Sequence, residues 1–225
     1  MKSLCLRFPA VAYAAPFGVY ILLLGLRGYV PVPPAYEYPL RAAVTLAALL
    51  AFSRGALSFR VSRFWPSVAL GVLVFGIWVG PDLAWPQYRQ HWLFQNSLLQ
   101  VGTSPWPADF RSHSVLLAVR ALGSALLAPV IEELFWRGWL MRWLIRTDFL
   151  AAPLGAYSPA AFWITAALFA SEHGPYWDVG LAAGILYNWW MVRTRSLGDC
   201  ILAHAVTNAC LAAYVVGAGQ YQYWL

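Results

Sequence analysis

Apolar residues run through this chain in seven blocks, at about 10–27, 40–53, 64–80, 113–145, 158–173, 178–192 and 198–217. Each block reads as a membrane helix. Several are shorter than the ~20 residues of a full crossing. Tilted, recessed or partial spans are therefore expected, and the count ranges from six to eight. The expected fold is all-α: a polytopic membrane bundle of about seven transmembrane helices forming one domain, 1–225. The first block follows Lys2 and Arg7 and contains Ala12-Tyr13-Ala14, which looks like a signal-peptide cleavage site. That triplet precedes the apolar run Val19–Leu26 instead of following it, so a retained first helix is expected.

Composition agrees with the pattern. Of 225 residues, 61% are hydrophobic and 11% charged, against roughly 45–50% and about 25% in soluble domains. Disorder is excluded by the 16% aromatic content. The 13 Trp suit a chain with two membrane–water interfaces. The net charge of +6 comes from basic residues spread along the chain, 14 of the 15 being Arg. Such scatter marks membrane edges and gives no nucleic-acid face. The cysteines, Cys5, Cys200 and Cys210, have no paired spacing that would suggest a disulfide framework or a zinc motif. Cys200 and Cys210 read as buried small hydrophobes.

Basic residues near the helix ends set an orientation. An inside N-terminus puts Lys2, Arg7, Arg54, Arg60, Arg63, Arg142, Arg146, Arg193 and Arg195 in the cytoplasm and Arg27, Arg41, Arg89 and Arg111 outside. The pattern fits a multi-pass protein of a bacterial cytoplasmic (inner) membrane. The long segment 81–112, with Trp85, Trp92, Trp106, Pro86, Pro105 and Pro107, reads as an interfacial loop or surface helix on the outer side. Arg120, near the outer end of the fourth helix, would snorkel. His91 and His113 would face solvent, and Trp136, Trp139 and Trp143 would form a packing stripe or an interfacial belt.

Polar residues inside the apolar blocks carry the chemistry, since each costs several kcal/mol in lipid unless satisfied or used. Glu132, Glu133 and Arg137 lie within one run. Glu133 and Arg137, four apart, can pair on one helix face. Glu132 points about 100° away and has no basic residue at i+4, so it must look to another helix. His173 ends the fifth block. Glu132 and His173 lie 14 and 15 residues from the loop 146–158, so an antiparallel pair would set them level, about 21–22 Å along their helices. His204 and Asn208 share a face of the seventh. His204, only about 9 Å from its helix start, meets Glu132 if helix four projects beyond its end or helix seven begins earlier.

Two Glu, two His, an Arg and an Asn in one low-dielectric cavity suit water activation: a carboxylate base, a histidine sharing the water, and donors for an oxyanion. The expected reaction is hydrolysis of an amide bond at or in the membrane. Other readings stay open. A structural ion-pair network would use the same Glu and Arg. Zinc would need ligands from three helices, there being no His-Glu-x-x-His pair. A non-catalytic scaffold or immunity protein would retain the motifs for folding. A transporter would show internal repeats or broken helices, and neither is evident.

Glu132-Glu133-x-x-x-Arg137, Phe169-x-x-x-His173 and His204-x-x-x-Asn208, in that order on successive helices, resemble the signature motifs of the CAAX-prenyl-protease and bacteriocin-processing (CPBP, or Abi) family of intramembrane glutamic endopeptidases. The resemblance covers about 115–217. It makes 113–217 the catalytic helix core and leaves 1–112 as variable N-terminal helices and outer loop. It implies Glu132 as general base, His173 sharing the catalytic water, His204 and Asn208 as oxyanion hole, and Glu133 and Arg137 as support, with no cofactor or metal. Short length and abundant Trp resemble the small branch found beside bacterial exosortase protein-sorting systems, a possible partner system in the resemblance. The implied substrate is a membrane-associated peptide or membrane-anchored protein, in contact with the lipid bilayer.

Overall fold

The computed structural model describes residues 5, 7–27, 29–95 and 108–224. Pro105, Trp106 and Pro107 lie outside the described residues. Among the described residues the architecture is all-helical, with seven helices: α1 (Val11–Gly25), α2 (Pro34–Phe52), α3 (Phe64–Ala84), α4 (Ser114–Trp143), α5 (Pro159–Ser171), α6 (Trp177–Thr194) and α7 (Leu197–Ala218). Three of them, α3, α4 and α7, are long and apolar enough to cross a membrane, whereas α1 and α5 are apolar but shorter. Large apolar side chains face outward along them: Leu22, Leu73, Leu126 and Trp163 are each more than half exposed. An outer surface of this kind suits lipid.

Local chemistry sets the helix ends. Ser158 caps α5 by accepting from the Ala161 amide at 3.2 Å, with Pro159 in the first turn. Ser196 caps α7 through the Asp199 amide at 3.2 Å. Gly219, at φ 69°, closes α7 in the left-handed conformation that glycine adopts without strain. Helix α2 starts at Pro34, six residues before the apolar block at 40 that marks it in the sequence. Its first turns carry Glu37 and Arg41, which pair at 3.0 Å, so a polar face hides the helix from hydropathy.

Helix α4 is not uniform. It widens into π-helical turns at Gly123–Leu127 and Leu134–Leu140, on either side of the segment containing Glu132 and Glu133. The first has a readable cause. The Ala128 amide bonds back to the Gly123 carbonyl, five residues away. In that register the Ser124 carbonyl would need the amide of residue 129, which is proline and has no N–H. Asn208 Nδ2 on α7 donates to Ser124 O at 2.8 Å instead.

The bundle has two ends. At one, the 53–63 connection is tied to α7: the Ser62 and Arg63 amides donate to Asp199 Oδ1 at 2.9 Å, and Ser196 Oγ donates to Arg60 O. At the other, Arg89 bonds Asp82 (3.0 Å), Asp178 (2.5 Å) and the Pro175 carbonyl (2.8 Å), and Tyr223 donates to Asp82 at 2.7 Å. These bonds fold the start of the 85–95 connection over the α5–α6 turn. Helices α3 and α7 make one close pair and α5 and α6 another. Gly71 allows the first, because a Cβ there would strike Ala203 O and Val206. Gly184 allows the second, since a Cβ there would sit 3.1 Å from Ala166 O, and Gly180, one turn earlier, lies against His173 just beyond the end of α5. This small-xxx-small spacing lets membrane helices approach closely.

Two arginines assigned to membrane edges, Arg41 and Arg142, and a third expected to snorkel, Arg120, are structural instead. Arg41 is buried between Glu37 and the rings of Tyr20 and Tyr38. Arg142 is buried and donates to the carbonyls of Gly138, Leu150 and Ala152, pinning the α4–α5 connection. Arg120 does not snorkel: it is 9% exposed and lies over the ring of Tyr38 at 4.4 Å.

Candidate active site

A cavity of about 260 Å³ opens among α1, α3, α4, α5, α6 and α7, in the half of the bundle nearer Tyr223 and Trp224. Glu132, His173, His204 and Asn208 all line it, so four of the six residues singled out in the sequence converge there. The other two, Glu133 and Arg137, are sealed behind it with no exposed surface.

The sealed pair organises the rest. Arg137 Nη1 donates to Glu133 Oε1 at 3.0 Å, the i,i+4 pairing expected from spacing. Its other donors reach α6: Nε to Asn188 Oδ1 at 2.9 Å and Nη2 to the Gly184 carbonyl at 3.2 Å. The guanidinium also lies over Phe169 of α5 at 4.6 Å. One arginine thus joins three helices. Asn188, fully buried, completes the link by donating to Phe162 O at 2.8 Å.

Glu133 Oε1 also meets His204 Nδ1 at 2.9 Å. An arginine-paired carboxylate only accepts, so Nδ1 is the protonated nitrogen and Nε2 turns the other way. Nε2 lies 3.8 Å from Glu132 Oε2. The ring is stacked on Tyr187 at 4.9 Å, and Tyr187 donates to Thr207 at 2.7 Å, so its plane is held as well. Neutral His204 therefore presents an acceptor at Nε2 and donates from it only as imidazolium. Glu132 Oε2 is buried and has no hydrogen-bond partner among the described residues. Such an orphan in a membrane helix marks function.

The offset of His204 is resolved by α4. Glu132 lies about 16 Å from Trp143 and His204 about 10 Å from Leu197, at 1.5 Å per residue. Their contact requires α4 to run about 6 Å past the start of α7. His173 Nδ1 donates to the Phe169 carbonyl at 2.7 Å, leaving Nε2 as the acceptor of the neutral ring. Trp78 packs edge-on against this ring at 5.1 Å. Gly180 makes room for it, a Cβ there falling 3.1 Å from Nδ1. Asn208 has one amide hydrogen engaged by Ser124 O, so one remains for a ligand.

Three contributors were not singled out from sequence. Asn188 stands in an apolar stretch and was detectable by the same reasoning that found Asn208. Glu172 precedes His173, lines the cavity and accepts from Trp136 Nε1 at 3.1 Å. Helix α1 supplies wall residues Phe17, Tyr20, Ile21 and Leu24, so the cavity is not built by 113–217 alone.

Residues 114–210 match the family model described as Type II CAAX prenyl endopeptidase Rce1-like. Comparison with curated proteins and with solved structures returns no match. The matched stretch contains all six motif residues, from Glu132 to Asn208, and this similarity supports assignment of the helical core to the Rce1-like family.

Proposed function

We propose that this chain is an intramembrane endopeptidase that hydrolyses a peptide bond of a membrane-associated peptide or membrane-anchored protein with water activated by Glu132. The observation that carries this reading is the orphaned Glu132 carboxylate facing His204 in a cavity whose rear wall is the sealed Glu133–Arg137 pair. Glu132 takes a proton from water held with His173 Nε2, and the hydroxide adds to the scissile carbonyl carbon. The carbonyl π pair moves to oxygen, where the remaining Asn208 N–H and protonated His204 Nε2 stabilise it. Collapse breaks the C–N bond, and the leaving amine takes the proton that Glu132 accepted. No cofactor is required by this scheme.

The assay is cleavage by purified protein in detergent or liposomes. Activity falls as pH is lowered, because protonating Glu132 removes the base, and it persists in chelator. A flat profile from pH 5 to 8 contradicts the base assignment. Loss in chelator with recovery on Zn²⁺ replaces the glutamic mechanism with a zinc one.

We also propose seven membrane passes in a bacterial inner membrane, with the N-terminus cytoplasmic. Support comes from the alternating direction of seven helices and the charge at one end, where Arg54, Arg60, Arg63, Arg146, Arg193 and Arg195 lie in or beside the connections. Reporter fusions in 54–63 should read inside and in 85–95 outside; the opposite result reverses the orientation. In this frame the cavity lies in the outer half of the membrane.

A further inference from the structure

The motifs leave two charged residues of the cavity lining unused, Arg120 and Glu172, and Arg120 is already covered by the ring of Tyr38. Glu172 is the C-cap of α5, a position where the helix macrodipole disfavours a carboxylate. Helix α5 has 13 residues. At 1.5 Å per residue it rises only about 20 Å, against a hydrocarbon core of about 30 Å, so its end is recessed. Among the described residues no Arg, Lys or His lies in ion-pair reach of Glu172. Its hydrogen bond comes from Trp136 Nε1, on the turn of α4 after Glu132, and engages only Oε1. The carboxylate is thus tied to the catalytic helix, exposed at the cavity wall and without an ion-pair partner among the described residues. Phe17, Tyr20 and Trp78 add aromatic faces to the same cavity. A carboxylate backed by aromatic rings is a receptor for a cation.

We propose that Glu172 is a specificity-determining residue that binds a Lys or Arg side chain of the substrate next to the scissile bond. This rests on the endopeptidase reading above. The substrate cation supplies the direct ion pair that Glu172 lacks among the described residues, and it aligns the peptide so that the carbonyl faces Glu132. Glu172 takes no part in the bond-breaking step.

The test uses quenched fluorogenic peptides embedded in detergent micelles. The set is identical except for Lys, Arg, Gln or Glu at each of the four positions on either side of the cleavage site. The wild type prefers Lys or Arg to Gln at one position by about tenfold or more in kcat/KM, the size expected of a charge-assisted hydrogen bond. In Glu172→Gln, whose amide oxygen still accepts from Trp136, that preference disappears through a raised KM on the Lys and Arg peptides. Glu172→Arg shifts the preference toward Glu. Cleavage that depends on Glu132 but shows no basic preference, or a preference that survives in Glu172→Gln, overturns this assignment and leaves the protease reading intact. Absence of cleavage of every peptide by wild type overturns both.

Discussion

Glu132→Gln abolishes turnover, with kcat reduced about 10²- to 10⁴-fold, the contribution of a positioned general base. The substitution keeps volume and removes only the basic oxygen. Because Glu132 Oε2 makes no hydrogen bond among the described residues, the variant melts within a degree or two of wild type. Loss of rate with retained stability separates catalysis from folding. A non-catalytic scaffold gives the reverse: normal function in Glu132→Gln and in His173→Ala. Wild-type turnover in Glu132→Gln ends the glutamic assignment, whatever the merit of the family relationship.

Arg137→Ala has the largest expected effect on stability. Arg137 and Glu133 are both fully buried, and removing one partner of a buried pair costs about 3–5 kcal/mol. The Asn188 amide oxygen and the Gly184 carbonyl also lose their donor. Thermal denaturation in detergent should therefore show a large drop in Tm for Arg137→Ala. The double variant Glu133→Gln with Arg137→Met removes the stranded charge and should recover at least half of that loss. Its activity should stay low, because a glutamine at 133 no longer holds the charge facing His204 Nδ1. Equal Tm values for Arg137→Ala and wild type would show that the pair does not brace α4, α5 and α6.

Most of the site was readable because the hydrocarbon interior makes polar residues expensive. Glu132, Glu133, Arg137, His204 and Asn208 each interrupt an apolar run, and the structure sets all five in or directly behind one cavity. Asn188 obeys the same rule and was passed over because it falls outside the recognisable motifs. Glu172 was obscured by its neighbour His173 and by its place at a helix end, where a carboxylate reads as ordinary. Counting arginines at helix ends worked less well. Arg41 and Arg142 count as edge charges in one dimension and Arg120 as a snorkelling one, yet rings and carbonyls of neighbouring segments bury all three.

Hydropathy and spacing alone define seven helices, the local Glu133–Arg137 pair and the short roll of polar groups that lipid would reject. These are properties of single segments: a period of 3.6 residues and the cost of dehydrating a charge act before any helix meets another. Relations between helices depend on register and on how near two backbones come. Gly71 and Gly184 set those approaches, and Pro129 sets the bend of bonding that Asn208 repairs. From them follow which nitrogen of His204 faces Glu132, why α4 outreaches α7, and where Glu172 stands. Sequence names the reacting groups, but packing decides which atom each turns toward the cavity.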